Sequence, residues 1–262
     1  MRPIACLLAL ALALPAQAQD SRLRAMQTGD DLRGFEAVGR LNVAGTGFCT
    51  ATLIAPDRVL TAAHCLFDRD TGARIPESRL EFLAGWRTGR AEAIRSVSRA
   101  AIWPSFDMSA GAAIASIAED LAVLHLDRPV RTTSIDPISL AETPARRGDA
   151  VTVVSYARDR AEAPAIQETC HVLEQRRDGV SVFSCDIDYG ASGSPVLARD
   201  GAGLRIVSVI SARVEGSEGP ISLGMQLGGR VAELMAALDG EVSGSRAPGP
   251  QGARTTARFV RP

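Results

Sequence analysis

The amino-acid sequence predicts an all-β protein, and three observations support that fold class. From Gly34 to about Leu227 the chain is a succession of short segments that are β-branched or alternate apolar with polar residues. Gly, Pro and Asp separate these segments at short intervals, which is typical of sandwiches and barrels rather than of alternating strands and helices. One clear helical pattern follows, close to the end of the chain.

The individual elements are predicted from the segments in order. The predicted strands are FEAVGRLNV, TATLIA, RVLTAA, LAVLHL, AVTVVSYA, VSVFSC and RIVSVISA. In RVAELMAALDG, the apolar residues Val231, Leu234, Met235 and Leu238 recur at helical spacing. Gly240 is placed to end that helix.

The sequence divides into five parts. Residues 1–18 combine a positive start, an apolar run too short to span a bilayer and an Ala-Gln-Ala ending, which indicates a secretory signal peptide cleaved near Ala18. The other parts are a polar leader and candidate propeptide (19–33), two β units (34–135 and 136–240, the second with the helix) and a flexible tail (241–262). We therefore expect a secreted or periplasmic protein without a membrane anchor.

Composition limits the classes of partner. With 46% hydrophobic residues in 262, the chain can build a sizeable core. The formal net charge is −1, so the protein has no general attraction to nucleic acid or to anionic membranes. All 29 basic residues are arginine.

Four cysteines remain once Cys6 leaves with the signal peptide. In an oxidising compartment an even number favours disulfides, and three pairings are formally open. The simplest pairs are local, Cys49 with Cys65 and Cys170 with Cys185. Each would close a loop of roughly fifteen residues, which stabilises by about 3 kcal/mol in the chain-entropy model. The sequence has no C-x-x-C, so we expect no metal site.

His64 is the first candidate catalytic residue. It stands in TAAHC, directly after a predicted strand, where small residues allow a tight turn that Cys65 can pin to Cys49. Of the other histidines, His125 lies in the apolar run LAVLHL, where a buried, hydrogen-bonded role is expected. His171 follows a cysteine in a hairpin, where a surface role is expected.

Asp120 is the second candidate, at the start of the apolar segment EDLAVLHL. A buried carboxylate needs a partner, and a histidine that donates its Nδ1–H would be one. The alternative is an aspartate at a strand edge that faces water. Asp107 and Asp127 are weaker candidates because each lies beside a turn-forming residue.

Ser192 is the third candidate, in YGASGSPV. The flanking glycines let the backbone approach a substrate and direct N–H groups at a developing oxyanion, although a serine in a glycine-rich turn is also common. The order His64, Asp120, Ser192 differs from the Ser, Asp, His order of α/β-hydrolases. The segment also lacks the G-x-S-x-G motif, since Ser194 replaces the last glycine.

Three motifs together, GTGFCTATLIAPDRVLTAAHC, EDLAVLHL and GASGSPV, resemble the trypsin-like, chymotrypsin-fold serine peptidases. The likeness runs from about Gly34 to Leu238 and is closest to the bacterial branch that includes glutamyl endopeptidases. It implies two perpendicular six-stranded antiparallel β-barrels and a C-terminal helix, with the site between the barrels. It also implies His64 as general base and acid, Asp120 as its orienting partner and Ser192 as nucleophile. The N–H groups of Gly190 and Ser192 would form the oxyanion hole.

The sequence departs from this family just before the nucleophile. Mammalian-type members carry aspartate there, and it pairs with the N-terminal amine that zymogen cleavage releases. Alanine at 191 cannot form that pair. We therefore expect no maturation through a salt bridge between the N-terminus and Ala191, although cleavage within 19–33, for instance after Arg33, stays open.

The specificity pocket is predicted by the same likeness. Asp186, six residues before Ser192, would favour Arg or Lys at the cleaved position, or else it only caps the hairpin. The pocket wall is predicted at Ser208, Val209 and Ile210, with Ile210 narrowing the pocket. Glutamate-specific relatives use a histidine on this wall, and none follows His171, which argues against glutamate specificity.

Two functions are therefore considered. The first is a secreted serine endopeptidase, monomeric and without cofactor, that hydrolyses protein or peptide substrates through an acyl-enzyme. The second is a catalytically silent homologue that keeps the fold as a binding module. The sequence favours the enzyme because all three triad residues remain.

Overall fold

The computed structural model describes residues 20–43, 47–111, 113–131, 133–201, 203–216, 219–244 and 258–259. The signal peptide predicted from the sequence lies outside these ranges, as does most of the tail expected beyond residue 240. Within the described ranges, no helix is long and apolar enough to cross a membrane.

The first half of the chain closes into a β-barrel. Its elements are β1 (Arg24–Ala25), α1 (Gly29–Leu32), β2 (Val38–Val43), β3 (Gly47–Ala55), β4 (Arg58–Thr61), β5 (Leu80–Ala84), β6 (Ala93–Ile102), α2 (Ile114–Glu119) and β7 (Ala122–Leu126). The strands pair antiparallel in the order β6-β5-β2-β3-β4-β7, and β7 pairs back onto β6. Six strands therefore form a closed barrel.

The second half repeats this architecture. Its elements are β8 (Ala150–Ala157), β9 (Arg160–Gln175), β10 (Val180–Phe183), β11 (Pro195–Asp200), β12 (Gly203–Gly216), β13 (Gly219–Gln226), α3 (Arg230–Gly244) and β14 (Arg258–Phe259). The order is β9-β10-β13-β12-β11-β8, closed by the pairing of β8 with β9. The expected fold, two six-stranded antiparallel barrels with a C-terminal helix, is confirmed. The division expected at residue 135 falls between the end of β7 and the start of β8.

Each of the seven segments predicted as strands overlaps one, and β8 has the predicted bounds. Among the strands of the two barrels, β5, β6, β9, β11 and β13 were not predicted, nor were the two-residue strands β1 and β14. In β6 and β9, apolar and polar residues do not follow the two faces of the strand. Ile94 of β6 is exposed and Gln167 of β9 is buried, so the alternation that marks a half-buried strand is weak.

The C-terminal helix α3 packs against the first barrel, on β6 and β7. Val231, Leu234 and Leu238 are buried, as their spacing predicts. The expected end at Gly240 is wrong, because α3 continues to Gly244. An exposed glycine costs a helix only about 1 kcal/mol relative to alanine, so the last turn can form across it.

The leader is integrated into the fold. Strand β1 pairs antiparallel with β9 of the second barrel. Met26 is 0% exposed and Leu32 1%, so both belong to the apolar core. The following helix α1 is capped by Thr28, whose hydroxyl accepts the N–H of Asp31 at 3.1 Å. Residues 20–33 therefore contribute to the packing of both halves.

Candidate active site

His64 is positioned by a short 3-10 turn, Ala63–Leu66, that directly follows β4. A disulfide joins Cys65, in this turn, to Cys49 on β3. The second local disulfide, Cys170–Cys185, joins β9 to the segment after β10. Both predicted pairings are therefore confirmed, and the first one holds the turn that carries His64.

Asp120 contacts both the ring and the backbone of His64. Its Oδ2 lies 2.6 Å from His64 Nδ1, and its Oδ1 accepts the His64 backbone N–H at 2.8 Å. The hydroxyl of Ser211 also donates to Oδ2, at 2.5 Å. The carboxylate is only 2% exposed, so it has the partner that a buried charge requires.

These contacts determine the charge state of Asp120. Burial by itself would raise the pKa of this carboxyl group. The charge and hydrogen bonds of His64, together with the Ser211 hydroxyl, outweigh burial, so the pKa lies below the usual value for aspartic acid. Asp120 is thus a carboxylate that can orient the imidazole and stabilise its protonated form.

Ser192 lies in the loop between β10 and β11 and lines the same cavity as His64 and Asp120. This cavity has a volume of about 350 Å³. Within the described part of the chain, no hydrogen bond joins its Oγ to His64 Nε2. Such bonds are often long without substrate and tighten in the complex. The cavity receives residues from both barrels, so it lies at their junction.

Two backbone N–H groups beside Ser192 are available to a ligand. Among the described residues, neither Gly190 nor Ser192 donates its N–H to another group. Gly190 has φ +102°, a conformation that glycine adopts without strain. An added Cβ there would also lie 2.5 Å from Phe48 Cε2. Both N–H groups are therefore free to donate a hydrogen bond to a bound ligand.

A second cavity, of about 580 Å³, adjoins the first. It is lined by the Cys49–Cys65 disulfide, Phe48 and Gly190. The two cavities share His64, Arg69 and Tyr189. A peptide that crossed Ser192 could therefore extend into both cavities.

Asp186 does not line either of these cavities. Asp186 is exposed, and its backbone N–H donates to Gln167 Oε1 at 2.7 Å. Besides Asp120, the charged residues that line the first cavity are Arg69, Asp188 and Arg213. The expected placement of Asp186 at the pocket base is corrected accordingly.

The expected pocket wall is also corrected. Ser208, Val209 and Ile210 are at most 1% exposed and do not line the cavity, and the Ser208 hydroxyl donates to the Met225 carbonyl. The strand residues that do line it come later in the chain: Ser211, Ala212 and Arg213. The pairing of β12 with β13 shifts register between Ile210 and Ala212, which changes the side chains that face the cavity.

The remaining candidates lie elsewhere. His125 is hydrogen-bonded to Ser98 Oγ through Nδ1, at 2.8 Å, and His171 to Asp20, at 2.7 Å. Burial and nearby arginines lower the pKa of His125. Cys49, Cys65 and His64 are clustered closely enough to suggest a metal site, but both sulfurs are held in the disulfide and offer no thiolate.

Comparison with protein families matches residues 45–204 to the trypsin-like peptidase domain. The chain belongs to this family. In this trypsin-like peptidase, the match spans the His64 turn, Asp120 and the Ser192 loop.

The fold of this family member is also found among solved structures. A Glu endopeptidase in complex with MPD superposes with a TM-score of 0.66 at 19% sequence identity. The alignment covers 85% of this chain and 98% of the other. The chain therefore has the chymotrypsin-like fold.

Proposed function

We propose that this trypsin-like peptidase is an active serine endopeptidase, with Ser192 as nucleophile, His64 as general base and acid, and Asp120 as orienting partner. The observation that carries the proposal is the contact of His64 Nδ1 with buried Asp120 in the cavity that Ser192 lines. The carboxylate keeps the proton on Nδ1, which leaves Nε2 free to accept the proton of Ser192.

The reaction follows from these positions. Ser192 Oγ attacks the peptide carbonyl while His64 Nε2 takes its proton, and the oxyanion accepts hydrogen bonds from Gly190 and Ser192. His64 then protonates the leaving amine, and the C–N bond breaks to give an acyl-enzyme. Water attacks the ester with His64 again as base, which releases the acid and restores Ser192.

The proposal is tested with a fluorophosphonate probe and a fluorogenic peptide mixture on correctly oxidised protein. Wild type should be labelled and active, whereas Ser192→Ala should lose labelling and about 10⁶-fold in turnover. Ser78→Ala is the matched control, because Ser78 is exposed and lines neither cavity. It should behave as wild type.

The alternative, a silent homologue that acts as a binding module, predicts another outcome. Folded wild type would then show neither labelling nor hydrolysis, and Ser192→Ala would not differ from it. That result would overturn the enzyme proposal.

We further propose that the enzyme works outside the cytoplasm on protein or peptide substrates. Two disulfides support an oxidising compartment. The identity of the preferred residue before the cleaved bond does not rest on Asp186, because that residue lies outside the cavity lining.

A further inference from the structure

Four consecutive carbonyl groups, of residues 189–192, are all held by hydrogen bonds. Tyr189 C=O accepts the backbone N–H of Arg158 at 2.7 Å, and Ala191 C=O accepts the backbone N–H of Ser194 at 3.0 Å. The other two carbonyls are both bonded to Thr50. Gly190 C=O accepts the Thr50 hydroxyl at 3.0 Å, and Ser192 C=O accepts the Thr50 backbone N–H at 2.9 Å.

These bonds determine where the two N–H groups of the loop point. In a planar trans peptide, the C=O and the following N–H point in opposite directions. Holding Tyr189 C=O therefore orients the Gly190 N–H, and holding Ala191 C=O orients the Ser192 N–H. No peptide bond among the described residues is cis. The intervening peptide, from Gly190 to Ala191, connects the two. Its carbonyl accepts the Thr50 hydroxyl, and its N–H donates to the Asp188 carbonyl at 2.9 Å.

Thr50 is itself held firmly. It lies on β3 of the first barrel and is 0% exposed. Its hydroxyl accepts the Tyr156 backbone N–H at 3.0 Å, and its carbonyl accepts the Thr61 hydroxyl at 2.9 Å. Both capacities of the hydroxyl, donor and acceptor, are thus used. A side chain at Gly193 (φ +82°) would collide with the Thr50 carbonyl, so the loop approaches β3 as closely as glycine allows.

The network also links the two barrels. Tyr156 belongs to β8 of the second barrel, and its buried hydroxyl donates to the Trp86 carbonyl of the first barrel at 2.7 Å. The hydrogen bonds therefore run from Trp86 through Tyr156 and Thr50 to Gly190, and cross between the barrels at each step. The loop is held in the geometry that the docked barrels impose.

Ala191 shows why this support is needed. Its side chain is 0% exposed and packs in the apolar cluster of the second barrel with Val153, Phe183 and Ile210. A methyl group in that cluster has no charge that could anchor the loop to an N-terminal amine. The loop is held instead by the hydrogen bonds to the carbonyls of residues 189–192.

We propose that Thr50 is a positioning residue for the oxyanion hole: its hydroxyl fixes the Gly190–Ala191 peptide, which joins the two peptides that carry the N–H groups of Gly190 and Ser192, and so keeps both N–H groups in position for the reacting carbonyl. This inference rests on the proposed peptidase function. It assigns to Thr50 an effect on the transition state, through the backbone, and no contact with substrate.

The test compares Thr50→Val, which keeps the shape of the side chain but removes the hydroxyl, with Thr50→Ser, which keeps the hydroxyl. We expect Thr50→Val to lose about 10- to 100-fold in kcat with KM nearly unchanged, since removal of a direct oxyanion donor costs about 10²- to 10³-fold. Thr50→Ser should keep kcat within about threefold. A peptide aldehyde, whose adduct carries an oxyanion, should bind Thr50→Val more weakly by the same factor as kcat falls.

Thr52→Val is the matched control. Thr52 lies on the same strand, is 1% exposed and has a hydroxyl without a hydrogen-bond partner among the described residues. It should show wild-type kcat and aldehyde affinity. If Thr50→Val does not fold, Thr50→Ala and Thr50→Ser replace it, because both lose the methyl group and differ only in the hydroxyl.

Three outcomes distinguish a failure of the proposed peptidase function from a failure of the proposed role of Thr50. An inactive wild type would refute the peptidase function itself. An active wild type with unchanged kcat and aldehyde affinity in the hydroxyl-free variant would overturn the role of Thr50 alone. A lower melting temperature without any change in kcat would also overturn it, since that is the result of a purely structural contact.

Discussion

His64 presents two donors to one carboxylate: its Nδ1 lies 2.6 Å from Asp120 Oδ2, and its backbone N–H lies 2.8 Å from Oδ1. The second contact ties the turn of the first barrel to the start of β7, independently of the ring. Asp120 therefore orients the imidazole and also holds the backbone that carries it.

Asp120→Asn should separate these two roles. The amide can still fill the site, but its NH₂ group cannot accept from Nδ1–H, so the imidazole adopts the wrong tautomer. We expect kcat to fall by about 10⁴-fold with the fold retained, measured on a fluorogenic peptide alongside circular dichroism. Ser211→Ala, which removes one donor to the same carboxylate, should cost far less. A loss below about tenfold in Asp120→Asn would contradict the orienting role.

The depressed pKa of Asp120 predicts a pH-dependent contribution to stability. An unfolded aspartate titrates near pH 3.9. Because the folded pKa is lower, this carboxylate contributes stability that is fully present above about pH 4 and is lost as the pH falls through the folded pKa. Urea unfolding should therefore show a difference between wild type and Asp120→Asn that shrinks below about pH 4. A difference that is constant with pH would exclude this linkage.

The leader should behave as part of the mature fold. Met26→Ala removes a fully buried side chain and should lower the free energy of unfolding by about 2–5 kcal/mol. Gln27→Ala, at the adjacent exposed position, should change it by less than about 0.5 kcal/mol. Equal stability of the two variants, measured by chemical denaturation, would instead favour a dispensable propeptide.

Asp186→Asn should leave the cleavage preference unchanged. Since this residue does not line the cavity, the ratio of kcat/KM for substrates with Arg or Leu before the cleaved bond should stay within about twofold of wild type. A direct charge pair with the substrate would make that ratio fall about 10- to 100-fold. A peptide-library profile of both proteins distinguishes the two outcomes.

Local patterns were sufficient for much of the architecture. AVTVVSYA is a short run of mostly β-branched and apolar residues that directly follows Gly-Asp, so the strand and its bounds follow from composition and the flanking turn residues. In β9, RAEAPAIQETCHVLEQ, Gln167 is buried and Leu173 is exposed, so apolar residues do not mark one face, and its pairing with β1, β8 and β10 is what makes it a strand. The two disulfide pairs could be predicted because the two cysteines of each pair are close in sequence.

The pocket wall could not be located from sequence. Whether Ser208 or Ser211 faces the cavity depends on a register shift within β12, and a shift of one residue exchanges the two faces of a strand. Thr50 was missed for a related reason. It reads as one more β-branched strand residue, and no local signal marks its hydroxyl as the partner of Gly190, 140 positions away.

The sequence by itself determined the fold class, the disulfide pairs and the three residue types of the candidate triad, because these depend on local periodicity and short motifs. The tertiary structure alone decided which side chains face the cavity, that the leader is packed into the core, and that the Ser192 loop is held through Thr50 without an acidic neighbour. These features depend on contacts between segments far apart in the chain, whose register and close approach are set only when the two barrels dock.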